Sequence, residues 1–520
     1  MATYRNFLST FKHFASRWYN SSVRTYVGFP LALLSFLIVL SAWAVSSPPG
    51  SSPDDDFHLA SAYCGQGTRQ GLCENPSTGQ GKLIPSGVIG LQNCYYKFRV
   101  SANCQISELQ VKEGSKESTE RLNTGGLYPR LFYLFSSVFA SSSVANSALA
   151  MRFLNISLIL SLFGLTYYAS SRKYRKMLPM TWCVSSLPFG LFIFSSNNPS
   201  SWAVSGLSCY AFLLANILDE SEPRRKEKIL PVLLIGMFAA LGSRNDSSIF
   251  LFLFTVVVCL YSLPYFKVQF SRYCATSFLL LTVSIAAYMT ITNPTRIVQG
   301  GFVSKDLPYK GIDLLNSNIQ AIPLLLFGSF GFSSWTIPHF GNLGWFNTPV
   351  PPITTFLVFG VFVFLCSRKI SIWPTQTKIA VGILWLLFIS CPLYMHQMDH
   401  TFIGQYIQPR YFFAFILLIV GFSILSFQAV RADLSNFSSI SIWIALTLGH
   451  SFCLHLFIRR YTSGYGGFGV NLNSGVLWWE YSVFSPMTTW ISGSVFFGIF
   501  SAFATNQMVS STEPVSPSHS

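Results

Sequence analysis

The chain has 520 residues, 51% of them hydrophobic and 10% charged, with a mean hydropathy of +0.44. A soluble domain carries about a quarter charged residues, so an ordinary soluble enzyme is excluded and a polytopic membrane protein is implied. The net charge of +15 lies in short clusters between apolar runs, which fits membrane topology and argues against a nucleic-acid partner.

Residues 1–26 carry Arg5, Lys12, Arg17 and Arg24 and read as a cytoplasmic N-terminus. The first apolar run, 27–45, is too long for a signal peptide and lacks a small-residue cleavage site, so it reads as an uncleaved membrane helix. Residues 46–130 then form a large exterior loop that opens on Pro53-Asp54-Asp55-Asp56-Phe57-His58. Cys64, Cys73, Cys94 and Cys104 fall in this loop. Bridges Cys64–Cys73 and Cys94–Cys104 are the simplest of three connectivities, and disulfides fit an oxidising exterior.

The stretch Leu131–Ala140 is short and followed by Ser141-Ser142-Ser143, so it reads as a juxtamembrane or partly inserted helix. Spanning helices are expected near 153–170, 178–195, 201–217, 229–243, 248–264, 275–292, 353–367, 376–395, 411–428, 437–457 and 487–504. Placing the clusters Arg172–Lys176, Arg224–Lys228, Lys267 with Arg272, Arg368 with Lys369, and Arg431 inside requires an even number of crossings between successive clusters. An all-α membrane domain over 27–504 follows, with about twelve crossings in the cell membrane and both termini cytoplasmic. A second large exterior segment covers 293–352, where Ile319–Phe330 is expected to be a re-entrant or surface helix. The Ser/Pro-rich residues 505–520 read as a disordered cytoplasmic tail.

Chemistry concentrates at the predicted exterior face. An aspartate there can act as general base toward an acceptor hydroxyl, which makes Asp54 and Asp55 the candidate catalytic groups. Asp54 and Asp56 also form an Asp-x-Asp pair able to hold a divalent cation such as Mg or Mn. His58, four residues after Asp54, can support it from the same helix face. The bland reading makes these aspartates a helix cap. Arg244, Arg410 and Arg460 stand at exterior turns, where guanidinium groups suit bidentate phosphate capture; snorkelling to lipid headgroups is the competing explanation. Gln408 and Tyr411 flank Arg410, and Trp345 lies in the Gly341–Pro349 loop as a platform for a sugar face or prenyl chain; an interfacial aromatic anchor is the competing and locally more common explanation. Glu480, beside Trp478 and Trp479, is a reserve acid. No nucleotide-binding glycine motif or nucleophile elbow is present, so an activated donor would have to supply the energy of transfer.

Several of these stretches resemble the domain-of-unknown-function 2142 family of prokaryotic membrane proteins, actinobacterial members in particular. They are Pro53–His58, the Cys64…Cys73 loop, Tyr128-Pro129-Arg130-Leu131-Phe132-Tyr133, Met151–Asn155, Gly341–Thr348 and Gln408-x-Arg410-Tyr411. That family is in turn similar to GT-C glycosyltransferases. The resemblance implies a multi-helix membrane fold, a polyprenyl-phosphate-linked sugar donor, a base at Asp54 or Asp55 and a phosphate contact at Arg410, with Tyr128, Gln408, Tyr411 and Trp345 near substrate. Asp55 stands where Glu is usual, and Asn347 replaces a common Asp. The resulting expectation is inverting transfer to an envelope glycan, lipid or protein acceptor at the exterior face. A lipid-linked saccharide flippase and an envelope-assembly subunit are the alternatives; the apolar middles of the helices argue against a flippase.

Overall fold

The computed structural model describes residues 28–77, 79–96, 100–219, 223–292, 311–332, 341–404, 409–429, 434–467 and 469–509. The expected N-terminal segment 1–26, the cluster residue Arg431, Gln408 and the tail beyond 509 lie outside them. Among the described residues, seven helices are long and apolar enough to cross a membrane, and four further apolar helical segments have 10–17 residues.

The principal helices are α1 (Phe29–Val45), α2 (Asp55–Tyr63), α3 (Asn103–Val111), α4 (Arg130–Ser136), α5 (Val144–Ala169), α6 (Arg172–Ser185), α7 (Phe189–Phe194), α8 (Ser200–Asp219), α9 (Pro223–Leu241), α10 (Ser247–Tyr261), α11 (Gln269–Thr292), α12 (Gly311–Gln320), α13 (Ile322–Gly328), α14 (Pro352–Ser367), α15 (Thr375–Met398), α16 (Phe413–Ala429), α17 (Asn436–Thr462) and α18 (Pro486–Asn506). A small antiparallel pair, β1 (Lys82–Pro85) and β2 (Lys116–Thr119), braces the loop after α2.

Contacts between helix ends sort the chain into two ends of one bundle. At the first end, Arg152 near the start of α5 reaches the carbonyls of Ala44, Ser47 and Pro48 after α1. Asn198 before α8 donates to Pro53 O, and Gly242 O after α9 accepts from Phe132 N. At the second end, Lys173 pairs with Asp219 at 2.7 Å, Arg225 donates to Ser170 O, and Ser271 donates to Leu218 O. The basic clusters at 172–176, 224–228 and 267–272 therefore gather opposite the Asp54 turn. A 20-residue helix such as α8 separates the two ends by about 30 Å.

Three elements differ from the expected ones. The helix expected at 153–170 begins at Val144; Asn146 and Ser147 lower the hydropathy of its first turn without interrupting it. The helix expected at 178–195 divides into α6 and α7 around Ser186–Pro188; Pro188 has no N–H to continue the ladder. The stretch expected at 319–330 falls across α12 and α13, of 10 and 7 residues, each too short to cross. The 131–140 stretch folds as α4 and one 3-10 turn, Ser137–Phe139. Phe132 and Tyr133 point inward while Phe135, Val138 and Phe139 are exposed, the pattern of a helix lying in an interface.

Helix packing is tight where side chains vanish. Gly206 of α8 faces Gly236 of α9, and a Cβ at Gly206 would stand 2.8 Å from Ala240 N. The two backbones approach as closely as small-residue membrane pairs allow.

Candidate functional site

The polar turn after α1 folds under its own and its neighbours' hydrogen bonds. Asp54 adopts a left-handed backbone (φ 59°, ψ 19°) as the residue preceding α2, and its side chain makes no capping bond. Aspartate is one of the few side-chain-bearing residues that occupy this region readily. The capping reading fails for Asp54, whose carboxylate is turned outward instead.

That carboxylate lies between two guanidinium groups. Arg410 Nη2 is 3.4 Å from Asp54 Oδ2, and Arg121 Nη2 is 3.3 Å from Asp54 Oδ1. Arg121 also donates from Nε to Asp56 Oδ2 at 2.7 Å and from Nη2 to Asp56 Oδ1 at 3.2 Å. These bonds raise the Arg121 pKa above its ordinary value, the hydrogen bond to Asp56 being the main cause. Arg121 therefore neutralises the carboxylate pair that the sequence left unpartnered. It sits in a loop far from Asp54 in sequence, with no motif to single it out.

Arg410 itself is 6% exposed. Its guanidinium carbon lies 5.4 Å from the Phe346 ring and 5.1 Å from the Tyr411 ring. Arg244 stacks on the same Tyr411 at 4.5 Å and lies 6.0 Å from Tyr128, while its side chain pairs with Asp246 at 2.6 Å. Burial opposes the charged form of Arg244, but Asp246 more than offsets this and holds its pKa above the ordinary arginine value. Alternating aromatic and cationic groups make a layered wall, with each guanidinium fixed in plane by ring contact. Two water-sized cavities of about 10 Å³ flank Arg410. One is bounded by Pro53 and Phe346 and the other by Ser200, Arg244 and Tyr411.

Beneath this wall lies a buried layer. Asp55 is fully buried; Oδ2 accepts from Gly50 N at 2.9 Å. Burial raises its pKa to about 6, against the lowering influence of Arg152 and the Gly50 N–H. His58 is buried with Nδ1 2.9 Å from Tyr133 Oη. Burial, reinforced by Arg410, lowers its pKa to about 3, so it is neutral near pH 7. Arg152 donates to three carbonyls at the end of α1 and to Ser51 Oγ. It fixes the 46–53 turn from below, as Asn198 does through Pro53 O. Arg152 lies within the Met151–Asn155 stretch of the family resemblance, but nothing local revealed its role.

The remaining candidates separate. Trp345 Nε1 donates to Gly50 O at 2.6 Å and its ring meets Tyr96 edge-on, so Trp345 ties the Gly341–Pro349 loop to the aspartate turn instead of offering a free platform. Asn347 Nδ2 is 3.5 Å from Tyr96 O, a bracing contact. Arg460 is not brought to Asp54 or Arg410; it donates to the carbonyls of Val100 and Tyr95. Glu480 is exposed in the segment between α17 and α18. Disulfides join Cys64 to Cys73 and Cys94 to Cys104. The divalent-cation reading fits poorly: Arg121 spans Asp54 and Asp56, and His58 is turned to Tyr133. Among the described residues no group of three or more His, Cys, Asp or Glu side chains is placed to hold a metal.

A solved oligosaccharyltransferase from Archaeoglobus fulgidus, in its apo form, is similar at 13% identity with a TM-score of 0.34. The match covers 86% of this chain and 57% of that one, so the present chain spans little more than half its length. No curated protein matches. A family model matches residues 37–419, most of the chain and nearly all of the site just described, and the chain accordingly belongs to the family described as predicted membrane protein (DUF2142).

Proposed function

We propose that the protein is an inverting membrane glycosyltransferase of GT-C architecture, with twelve crossings, both termini cytoplasmic and the Asp54 site at the extracytoplasmic face. The donor is a polyprenyl-phosphate-linked sugar that arrives laterally from the bilayer, and the acceptor is a hydroxyl of an envelope glycan, lipid or protein. Asp54 takes the acceptor proton as that oxygen attacks the anomeric carbon. The bond from the anomeric carbon to the phosphate oxygen breaks, its electron pair leaves with the lipid phosphate, and Arg410 stabilises the developing charge with Arg244 behind it. Asp55 and His58 are positioning residues in this scheme: both are buried, and the accessible carboxylate is Asp54.

The observation that carries this reading is the 3.4 Å contact between the part-exposed Asp54 carboxylate and the buried Arg410 guanidinium. A base and a phosphate-binding cation must stand within one sugar of each other for single displacement, and no other acid among the described residues pairs with Arg410. The layered rings of Tyr128, Tyr411 and Phe346 add apolar faces against which a sugar can stack.

The test is transfer in proteoliposomes from a panel of synthetic polyprenyl-phosphate sugars. Wild type should transfer at least one of them. Arg410→Gln should lose about 10²–10³ in kcat/KM, the usual cost of removing one charge-stabilising donor, while Arg410→Lys recovers part of it. Sugar movement across the membrane without bond formation, or unaltered transfer by Arg410→Gln, would overturn the reading.

A further inference from the structure

We propose that a second cavity at the same end of the bundle binds the phosphate group of a second, anionic substrate; this rests on the transfer reading and assigns the site to the acceptor. The cavity, about 270 Å³, opens at the C-terminal end of α17 and is lined by His455, Arg459, Arg460, Tyr465 and Pro349. Its volume approaches that of small-ligand clefts.

Two adjacent guanidinium groups wall it. Arg459 is 7% and Arg460 3% exposed. Arg459 donates to the carbonyls of Gly469, Asn471 and Ser474, and Arg460 to those of Val100 and Tyr95. Every one of these acceptors is neutral, and the Nε atoms of both arginines have no partner. Among the described residues neither arginine has a carboxylate counter-ion, in contrast to Arg244 with Asp246 and Arg410 with Asp54. Burying two neighbouring cations without an anion is costly, and a bound phosphate removes that cost.

The surroundings hold the pair in place. Tyr465 lies 5.0 Å from the Arg460 guanidinium and Tyr461 5.4 Å on. Gly467 lets the loop rest on the Arg459 stem, since a Cβ there would stand 2.9 Å from Arg459 Cδ. One short loop, Gly341–Pro349, contributes to both sites, Phe346 at the first and Pro349 at the second.

The experiment uses full-length protein in phosphatidylcholine nanodiscs, with inorganic phosphate and dodecyl phosphate titrated separately and melting followed by tryptophan fluorescence. Both probes should raise the melting temperature of wild type, and the part of the rise that persists in Arg410→Gln reports this cavity separately from the donor-phosphate site. A dodecyl phosphate affinity at least about tenfold above that of phosphate assigns the group to a lipid, and equal affinities assign it to a soluble phosphorylated acceptor. Arg459→Gln should weaken both at least about tenfold. Because Arg459 also holds the 469–474 backbone, Leu456→Glu serves as a second variant. Leu456 lines the cavity, and a carboxylate there supplies an internal counter-ion. Made in the Arg410→Gln background, it should raise the melting temperature without phosphate and abolish the remaining phosphate effect. No stabilisation of wild type, or stabilisation undiminished in both variants, overturns the proposal. Phosphate binding lost in Arg459→Gln alongside absent transfer in wild type would leave this site standing and remove the transferase reading.

Discussion

Replacing Asp54 by asparagine isolates the proposed base from its structural setting. The left-handed backbone at φ 59° is open to asparagine, whereas Asp54→Ala would add roughly 1–2 kcal/mol of backbone cost. The ion pairs lost are modest: Asp54 is 36% and Arg121 52% exposed, so solvent screening leaves that contact about 0–1 kcal/mol. The Arg410 contact, long at 3.4 Å, adds a comparable amount. Asp54→Asn should accordingly fold and melt within about 2 kcal/mol of wild type. Its transfer rate, by contrast, should fall about 10²–10⁴-fold, the usual worth of a general base, with little change in donor KM because Arg410 remains. The assay is initial-rate transfer at saturating donor, alongside thermal melting of both proteins. Wild-type kcat in a normally folded Asp54→Asn protein would refute the base assignment.

Asp55 and His58 should oppose each other with pH. Asp55 has its pKa raised from 3.8 to about 6, so its stabilising protonated form is fully present below about pH 4 and is lost as pH rises through 6. His58 has its pKa lowered from 6.5 to about 3, so its contribution is present above 6.5 and is lost as pH falls toward 3. Melting against pH should therefore become steeper on the acid side in Asp55→Asn and flatter there in His58→Gln; unchanged slopes would contradict the burial of both groups. Arg152→Met removes four buried hydrogen bonds at the end of α1 and should destabilise by about 3–5 kcal/mol, read as lower melting temperature and yield in detergent. Removing either disulfide, with sequence separations of 9 and 10, should cost about 2–3 kcal/mol by the chain-entropy relation, checked by melting Cys→Ser pairs against wild type.

Much of this was legible before any coordinates. The two observed disulfides are the simplest of the three connectivities that cysteine spacing allows, and charge clusters separate the two ends of the bundle. Short motifs named Asp54, Arg410, Tyr411, Arg244 and Tyr128, which the fold brings to one wall. Arg121 and Arg152 escaped because their roles are tertiary. One reaches the aspartates from a polar loop, and the other faces backbone carbonyls about a hundred residues earlier, so neither leaves a local signature. Sequence groups Arg460 with Arg410 because both stand near helix ends at the same face; placement within that face depends on lateral packing, which spacing does not encode. Sequence alone leaves Trp345 as a platform or an interfacial anchor, because its indole N–H partner, Gly50 O, is a backbone atom with no side-chain signature.

The glycine contact between α8 and α9 bears on how a bulky substrate gains entry. Among the described residues Arg410 is flanked by two water-sized cavities, so on the transfer reading admission of a sugar requires one wall to yield. The wall formed by Ser200 and its helix is the tightly packed one, with Gly206 seated on Gly236 and no room for a Cβ between them. The opposite wall, residues 341–349, is fastened by the Trp345–Gly50 bond and the Phe346–Arg410 contact, which can break and re-form without disturbing a helix. The transfer reading thus assigns the yielding wall to the 341–349 loop, and the resisting one to the absence of two side chains.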